Sequence, residues 1–470
     1  MIFQTLHERF IRSVSFPFSQ YCFNRRNIGY ECRQSLCREY SSPDSIAAFQ
    51  EQKLRVVVEH ACKFVPFYQR RFKEAGITPD SITTIDDLRR IPPLSRDDLV
   101  NFKTDLVDYR YRPSIEAADA SRRGPGEPMP FARFRKFPLA KNASSGSTGA
   151  PTVFYDDGTI SAISWANEIR VKRWFGLQQG AREARLVRVS PEFVEKNRKN
   201  RLRRFLWNQM VLPGMNLTER DYGFIIGQLN GYRPKTIWSM TSAIAELARF
   251  LNETPACPLT SKPMLIITWA APLYDHEKKI IRKIFSCPVT NIYGMREVGH
   301  IGALCGEGKL HVFQETHFLE TDDNNELLVT FLRPTAMPLI RYRTGDRGEL
   351  AIEKCGCGRT LQVIREFHGR TGEIFFTGDG RMIAPNFWCR TFMDDRLAAT
   401  IRRFQIIYTK DKSIRIKLMA PDAHRPTIDG ILRQTVTKNF GASTQVRFEY
   451  VDSIAPQLSG KYQMVINETE

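Results

Sequence analysis

Residues 142–152 read Asn-Ala-Ser-Ser-Gly-Ser-Thr-Gly-Ala-Pro-Thr. Two glycines, Gly146 and Gly149, let successive backbone N–H groups turn toward one anion, and the hydroxyls of Ser144, Ser145, Ser147 and Thr148 add side-chain donors. The chemistry this pattern supports is phosphate binding. It is not a Walker loop, because no Gly-Lys-Ser/Thr follows. In isolation the same composition also serves as a flexible linker. A second group is built for a soft metal. In Cys355-Gly-Cys357-Gly the glycines permit both thiolates to face one ion, and Cys305 and His311 lie upstream in a turn-and-return segment, ALCGEGKLHVF. Three Cys and one His make a standard tetrahedral zinc set, although the one-residue gap is tighter than the usual spacing. Buried free thiols or a redox pair are the alternatives. His300, His317 and His368 are further candidate ligands, or ordinary packing and surface histidines.

The order Ser-Ser-Gly-Ser-Thr-Gly-x-Pro-Thr resembles the phosphate loop of the adenylate-forming superfamily of acyl-CoA synthetases and peptide-synthetase adenylation domains, and the companion motifs follow in sequence. Trp269-Ala270-Ala271-Pro-Leu273 stands where that family sets a segment against adenine. Tyr293-Gly294-Met-Arg296-Glu297 resembles the motif whose Tyr lies near adenine and whose Glu binds Mg²⁺. Tyr342-Arg-Thr-Gly-Asp346 matches the motif whose Asp takes the ribose hydroxyls. Gly369-Arg370 begins the hinge motif. Ser459-Gly-Lys461 matches the C-terminal signature whose Lys reaches the α-phosphate and the substrate carboxylate. Within the superfamily the chain looks most like the phenylacetate–CoA ligase group, and there like the CapK-type branch labelled for capsular polysaccharide biosynthesis. Some proteins of that group carry a structural zinc in the region of the cysteines.

The resemblance implies an ATP- and Mg²⁺-dependent ligase that converts a carboxylic acid to an acyl-adenylate and passes the acyl group to coenzyme A. A carboxylate is a poor electrophile, and AMP supplies a good leaving group. Joining two anions makes the barrier largely electrostatic. The implied catalytic set is Lys461, Glu297 and Thr148. Ser144, Ser145, Gly146, Ser147, Thr148 and Gly149 would cradle phosphates, and Ala270, Ala271, Tyr293, Gly294, Arg296, Asp346 and Arg370 would surround the nucleotide. Glu297 would hold Mg²⁺, a cation that prefers oxygen ligands. Lys461 would place positive charge where the carboxylate attacks. The acid would lie near Ala270, Ala271, Tyr293 and the helix around Trp165, itself equally a core residue.

Two departures from the family pattern stand out. Arg296 replaces the usual Ser or Thr before the metal Glu, where it could contact phosphate or substrate, or pair with Glu297. Gly372, followed by Glu373, replaces the first hinge Asp. Two other readings stand beside that of a CoA ligase: the group's polysaccharide label suggests transfer of the activated acyl group to a sugar or amino acceptor as an ester or amide, and Arg296 and Gly372 could mark a non-catalytic nucleotide-binding assembly protein. Retention of Lys461, Glu297 and Asp346 argues against the last.

The elements that must position these residues are legible as periodicities. Helical spacing covers residues 45–65, stopped by Pro66, and a short helix is expected at 86–91. Residues 110–140 read as an exposed connection. Strands at 236–240, 264–269 and 289–293 alternate with helices at 241–252 and 275–285, which argues for a parallel α/β core with its active edge at the strand C-termini. After about residue 325 strands dominate, and the last hundred residues form a small α+β unit. The expected fold is α/β: a large N-terminal domain with parallel sheets, residues 1–369, and a mobile α+β domain, 370–470, that carries Lys461.

Composition excludes several classes. With 42% hydrophobic and 26% charged residues in 470, the chain is neither disordered nor collagen-like. No apolar run approaches the roughly 18 residues a membrane span needs. Its 69 Lys and Arg outnumber 51 Asp and Glu, for a net charge of +18. The basic residues are spread out, outside any nucleic-acid-binding motif, so no nucleic acid is expected as partner. A solvated face, or attraction of an anionic substrate or membrane surface, accounts for them. Ten scattered cysteines and a charged N-terminus that makes a poor signal peptide point to a soluble, cytoplasmic protein. Residues 1–40 mix aromatic and basic groups, either as an interfacial amphipathic helix or, the preferred expectation, with the aromatics packed on the domain behind.

Overall fold

The computed structural model describes residues 2–24, 28–36, 38–115, 139–143, 152–187, 198–214, 217–370, 375–377, 382–383, 387–388, 391–392, 395–398, 400–401, 403–454 and 463–469. A short hairpin, β1 (Ala140–Ala143) with β2 (Val153–Asp156), brackets the serine-rich loop. The main sheet then draws on β3 (Glu183–Val187), β4 (Gln209–Pro213), β5 (Thr236–Met240), β6 (Leu265–Trp269), β7 (Val289–Met295), β8 (Gly299–Leu304), β9 (Leu310–Val312), β10 (His317–Thr321), β11 (Glu326–Phe331), β12 (Tyr342–Ala351) and β13 (Val363–Arg370). These 11 strands form one sheet in the order β10-β11-β12-β13-β9-β8-β7-β6-β5-β3-β4.

The sheet has two halves. From β4 through β7 every pairing is parallel, and from β7 through β10 every pairing is antiparallel. The parallel half is covered on both faces, which is why its strands read as unbroken apolar runs. Ile237 and Ile266 pack with Ile226, Leu247 and Ile281 of the helices Glu219–Tyr232, Thr241–Glu253 and Asp275–Phe285. Their strand neighbours Trp238 and Ile267 face the opposite way, onto Val171 of the helix Thr159–Trp174. The strand expected at 289–293 runs on to Met295, and β8 to β10 extend the all-strand region well upstream of residue 325. Helical residues occupy Pro43–Phe64 and a 3₁₀ turn Asp86–Arg90, as the periodicity predicts. Of the expected connection, residues 110–114 belong to a 3₁₀ turn, Tyr109–Ser114, and 116–138 lie outside the described residues.

A separate core gathers residues of the last hundred positions. Strands β14 (Phe375–Phe376) and β15 (Met382–Ile383) pair with each other, and β16 (Arg403–Tyr408), β17 (Ile414–Met419), β18 (Val446–Tyr450) and β19 (Val465–Asn467) form a four-stranded sheet. The helix Arg425–Phe440 packs Leu432 and Val436 against Ile406, Ile416 and Trp388. Tyr274 packs onto this core from the large sheet's side, and Arg403 makes an ion pair with Glu246.

At the other end, the helical segments Ile2–Phe10, Ile11–Ser15 (a π-helical stretch) and Phe16–Asn24 follow one another directly. Phe16 is buried edge-on against Trp165 and Trp207, as expected for aromatics packed on the domain; Phe10, Phe18 and Tyr21 instead stand in solvent. Trp165 is thereby a core residue.

One buried ionic hub ties distant segments together. Arg170, without solvent exposure, donates to Glu39 and to both oxygens of Glu315 at 2.9 and 3.0 Å, while Glu39 also takes Trp174 and Arg359. Removing one member leaves an uncompensated buried charge. Arg170→Met should therefore cost about 3–5 kcal/mol, read as a lowered midpoint in chemical denaturation.

Candidate functional site

Parallel pairing places the C-termini of β5, β6 and β7 along one sheet edge, the edge where α/β proteins hold ligands. Immediately after β6 the backbone turns through Ala270, a non-glycine residue at φ 75°. Two polar side chains, Thr241 and Asn291, hold that turn. The Thr241 hydroxyl, at the start of the helix that follows β5, donates to the carbonyl of Ala271 at 3.0 Å and of Trp269 at 3.3 Å. Asn291 Nδ2 donates to the Ala271 carbonyl at 3.0 Å and to Thr268 Oγ1 at 2.9 Å. A positive φ at alanine is uncommon and is kept only where surroundings over-determine it.

Asn291 and Tyr293 are two residues apart on β7 and so share a face. The Tyr293 hydroxyl donates to Asp346 Oδ2 at 2.9 Å, and Phe367 meets the Tyr293 ring edge-on at 5.3 Å between centroids. Asp346 is buried, and its backbone N–H is received by Thr344 Oγ1 at 3.1 Å. The turn before it, at Gly345 with φ 74°, is held by Glu326, which accepts from the Gly345 N–H and pairs with Arg343. In strand register Asp346 lies opposite Arg370, the last residue of β13.

Beyond Tyr293 the chain reverses between β7 and β8. Gly294 faces His300 in this hairpin, and a Cβ on Gly294 would fall 2.3 Å from the Gly299 carbonyl oxygen. Gly299 closes the turn at φ 79°. Arg296 and Glu297 are carried on its tip, Arg296 exposed and Glu297 buried. Arg296 Nη1 donates to the Ala143 carbonyl at 2.6 Å. Ala143 ends β1 and directly precedes the serine-rich segment in sequence, so this contact ties the β7–β8 turn to the end of β1. On the loop's far side Thr152 Oγ1 accepts from Arg96 Nε at 2.8 Å.

The structure thus brings Ala270, Ala271, Tyr293, Gly294, Arg296, Glu297 and Asp346 to one edge. Residues 144–149, Gly372, Glu373 and Lys461 lie outside the described residues, as does the side chain of Arg370. Thr241, Thr268, Asn291 and Arg96 did not emerge from the sequence. Asn291 carries a signal, being a polar residue inside the apolar strand VTNIYGM; Arg96 carries none.

The thiol cluster forms around the β8–β9 turn and the loop before β13. The ligand atoms of Cys305, His311, Cys355 and Cys357 all lie within 4.8 Å of one another. The Cys305 and Cys355 sulfurs are 3.7 Å apart, and Cys357 Sγ is 3.3 Å from His311 Nε2. A zinc tetrahedron with sulfur at about 2.3 Å has an S–S edge of roughly 3.8 Å. His311 Nδ1 donates to the Leu361 carbonyl at 3.2 Å, which leaves the Nε2 lone pair to face the thiols. Burial pushes the Cys355 thiol up to about 12. Burial opposes ionisation at Cys357 too, yet hydrogen bonds from Arg359 and Cys355 hold its thiol below the ordinary value. The donor set, spacing and tautomer fit a structural zinc. His300 bonds the Ser164 carbonyl and His317 that of Val298, so both are packing residues.

Residues 375–468 match the family described as the CapK C-terminal domain. Over 432 residues, 89% of this chain and 88% of the relative, the sequence is 24% identical to Protein CapK of Staphylococcus aureus. It is 27% identical over 354 residues to the phenylacetate–coenzyme A ligase of Thermus thermophilus, covering 70% of this chain and 72% of that one. Among solved structures, 2-hydroxyisobutyryl-CoA ligase in the postadenylation state with 2-HIB-AMP superposes with a TM-score of 0.67 at 17% identity, over 92% of this chain and 91% of the other. The chain thus has a fold of the class seen in acyl-CoA ligases, with a match to the CapK C-terminal domain over residues 375–468. Within that class the chain is a homologue of CapK and the phenylacetate–CoA ligases.

The hairpin geometry gives a test that needs no substrate. Gly294→Ala forces backbone apart beside Arg296 and Glu297, at the overpacking cost of about 1–3 kcal/mol. Thermal melting should show a clear decrease in Tm, which an unchanged melting curve would contradict.

Proposed function

We propose that this chain is an ATP-dependent acid–thiol ligase, which joins a carboxylic acid to AMP with release of pyrophosphate and then passes the acyl group to coenzyme A. The observation that carries the reading is the Arg296–Ala143 contact. It ties the β7–β8 turn to the end of β1, which directly precedes the serine-rich segment in sequence, while Tyr293 links the same strand to Asp346. Homology to phenylacetate–CoA ligases over more than two-thirds of the chain supports the same chemistry.

Each step has a residue suited to it. Backbone N–H groups and hydroxyls of residues 144–149 hold the β- and γ-phosphates. The Ala270–Ala271 turn and Tyr293 bound the adenine, and Asp346 accepts the ribose hydroxyls. Arg296, anchored on backbone carbonyl, stiffens the loop mouth with its cationic head beside the phosphates. Glu297 supplies the oxygen ligand for Mg²⁺, which when bound neutralises phosphate charge. The acid carboxylate attacks the α-phosphorus, the bond to the β-phosphate oxygen breaks, and pyrophosphate leaves. Lys461 orients the attacking carboxylate and offsets the charge that accumulates as two anions meet. The acyl carbon of the mixed anhydride then takes the thiol sulfur, with AMP leaving.

In this reading residues 1–369 bind nucleotide and acid, and 370–470 form the lobe that swivels. The pivot begins at Arg370, opposite Asp346 in the sheet, so ribose contact and hinge share one strand pair. Gly372 keeps the pivot backbone permissive. The cysteine cluster holds zinc as a structural pin that joins the β8–β9 turn to the loop before β13. A need for ATP and coenzyme A supports a cytoplasmic location.

Two measurements test the reading. ATP–pyrophosphate exchange over a panel of carboxylic acids should find at least one active acid, and Lys461→Ala should lower that exchange by about 10²–10³-fold. No exchange with any acid would favour a nucleotide-binding assembly protein, and exchange without thioester on adding coenzyme A would point to another acceptor. Elemental analysis of the purified protein should give about one zinc per Cys₃His set, lost to chelator or in Cys305→Ser with a lowered Tm. A folded, zinc-free wild type would refute the metal.

A further inference from the structure

We infer that the N-terminal helical segment is a docking surface for an anionic lipid bilayer, which it meets lying flat, independently of the nucleotide site. Leu6, Phe10, Val14, Phe18 and Tyr21 are between 51% and 65% exposed, and they recur every three or four residues along 2–24. Four-residue steps overrun an α-helical turn by about 40° each. The wider π turn at Ile11–Ser15 takes up part of that overrun, so the stripe keeps to one side. A row of large apolar side chains in water is costly and marks an interaction surface.

The opposite face already has its partners. Ile11 and Phe16 are buried, Ser15 Oγ donates to the Leu206 carbonyl at 2.7 Å, and Trp207 Nε1 donates to Ser19 Oγ at 2.6 Å. The segment is thus fixed to the domain by one side, and folding makes no use of the other. Beside it runs the helix Arg198–Trp207, which adds exposed Leu202 and Phe205, with Phe205 6.3 Å from the His7 ring.

Charge selects the occupant. Arg9 and Arg204 are exposed among these apolar groups, and the helix Arg198–Trp207 has the sequence RKNRLRRFLW without an acid. The one acid in residues 2–24, Glu8, pairs with Lys235. An apolar stripe flanked by cations, on a chain of net charge +18, fits phospholipid headgroups above acyl chains. A second copy would bring like charges together across the stripe. The buried Ser15, Ser19 and Gln20 on the anchored face suit a helix that lies in the interface, and no helix among the described residues is long and apolar enough to cross a membrane.

The test is flotation of the full chain with vesicles of phosphatidylcholine alone, or with about a third phosphatidylglycerol. Binding is expected to the anionic vesicles, weakened by raised salt, as electrostatic attraction to a surface requires. The double substitution Phe10→Ser and Phe18→Ser should weaken it by at least about tenfold, since each ring contributes about that factor or more when buried. Arg204→Glu should also weaken it, with the ATP–pyrophosphate exchange of both variants and the Tm of the double variant unchanged. Failure of the wild type to float with anionic vesicles would overturn the inference. So would flotation untouched by either variant, or a salt-stable dimer of the wild type that the double substitution splits while neither protein binds vesicles.

Discussion

Strand β7 runs parallel to β6 on one side and antiparallel to β8 on the other, and the site is organised by that change of direction. The parallel side delivers strand ends, with their turns, to a single edge. The antiparallel side sends the chain straight back through a hairpin, so the residues at its tip stay within a few ångströms of that edge. Because strand side chains alternate, Asn291 and Tyr293 must point the same way. One grips the turn after β6 and the other reaches across to Asp346.

Much of this was written in local pattern. The strands β5, β6 and β7 are apolar because both faces of the parallel half are covered, and the intervening helices keep a 3.6-residue rhythm. The motif residues Ala270, Ala271, Tyr293, Arg296, Glu297 and Asp346 stand together in space, a convergence that only the resemblance of their motifs implied. Strands β8 to β10 are a different case. GHIGAL, LHV and HFLET are short, rich in glycine or polar groups, and owe their strand character to partners rather than to intrinsic preference. Their pairing could be known only once β7 was in place.

The polar supports were hidden for a related reason. Thr241, Thr268 and Arg96 are common residues in unremarkable settings, and only tertiary proximity gives them a task. The N-terminal aromatics show the limit from the other direction. Composition could not separate Phe16, locked between two tryptophans, from Phe10 and Phe18, which the same helix turns outward. That division depends on the helical phase, and the π stretch shifts the phase midway.

Glu39 accepts Arg170, Trp174 and Arg359 together, and so joins the start of the chain, the helix after the serine-rich loop and the segment that follows the cysteines. Three stretches of sequence separated by more than a hundred residues therefore answer to a single carboxylate. Chimeras between relatives would feel this constraint. A crossover point anywhere between residues 40 and 359 mixes parental versions of the hub, and tolerated exchanges should be those that inherit all of its members from one parent.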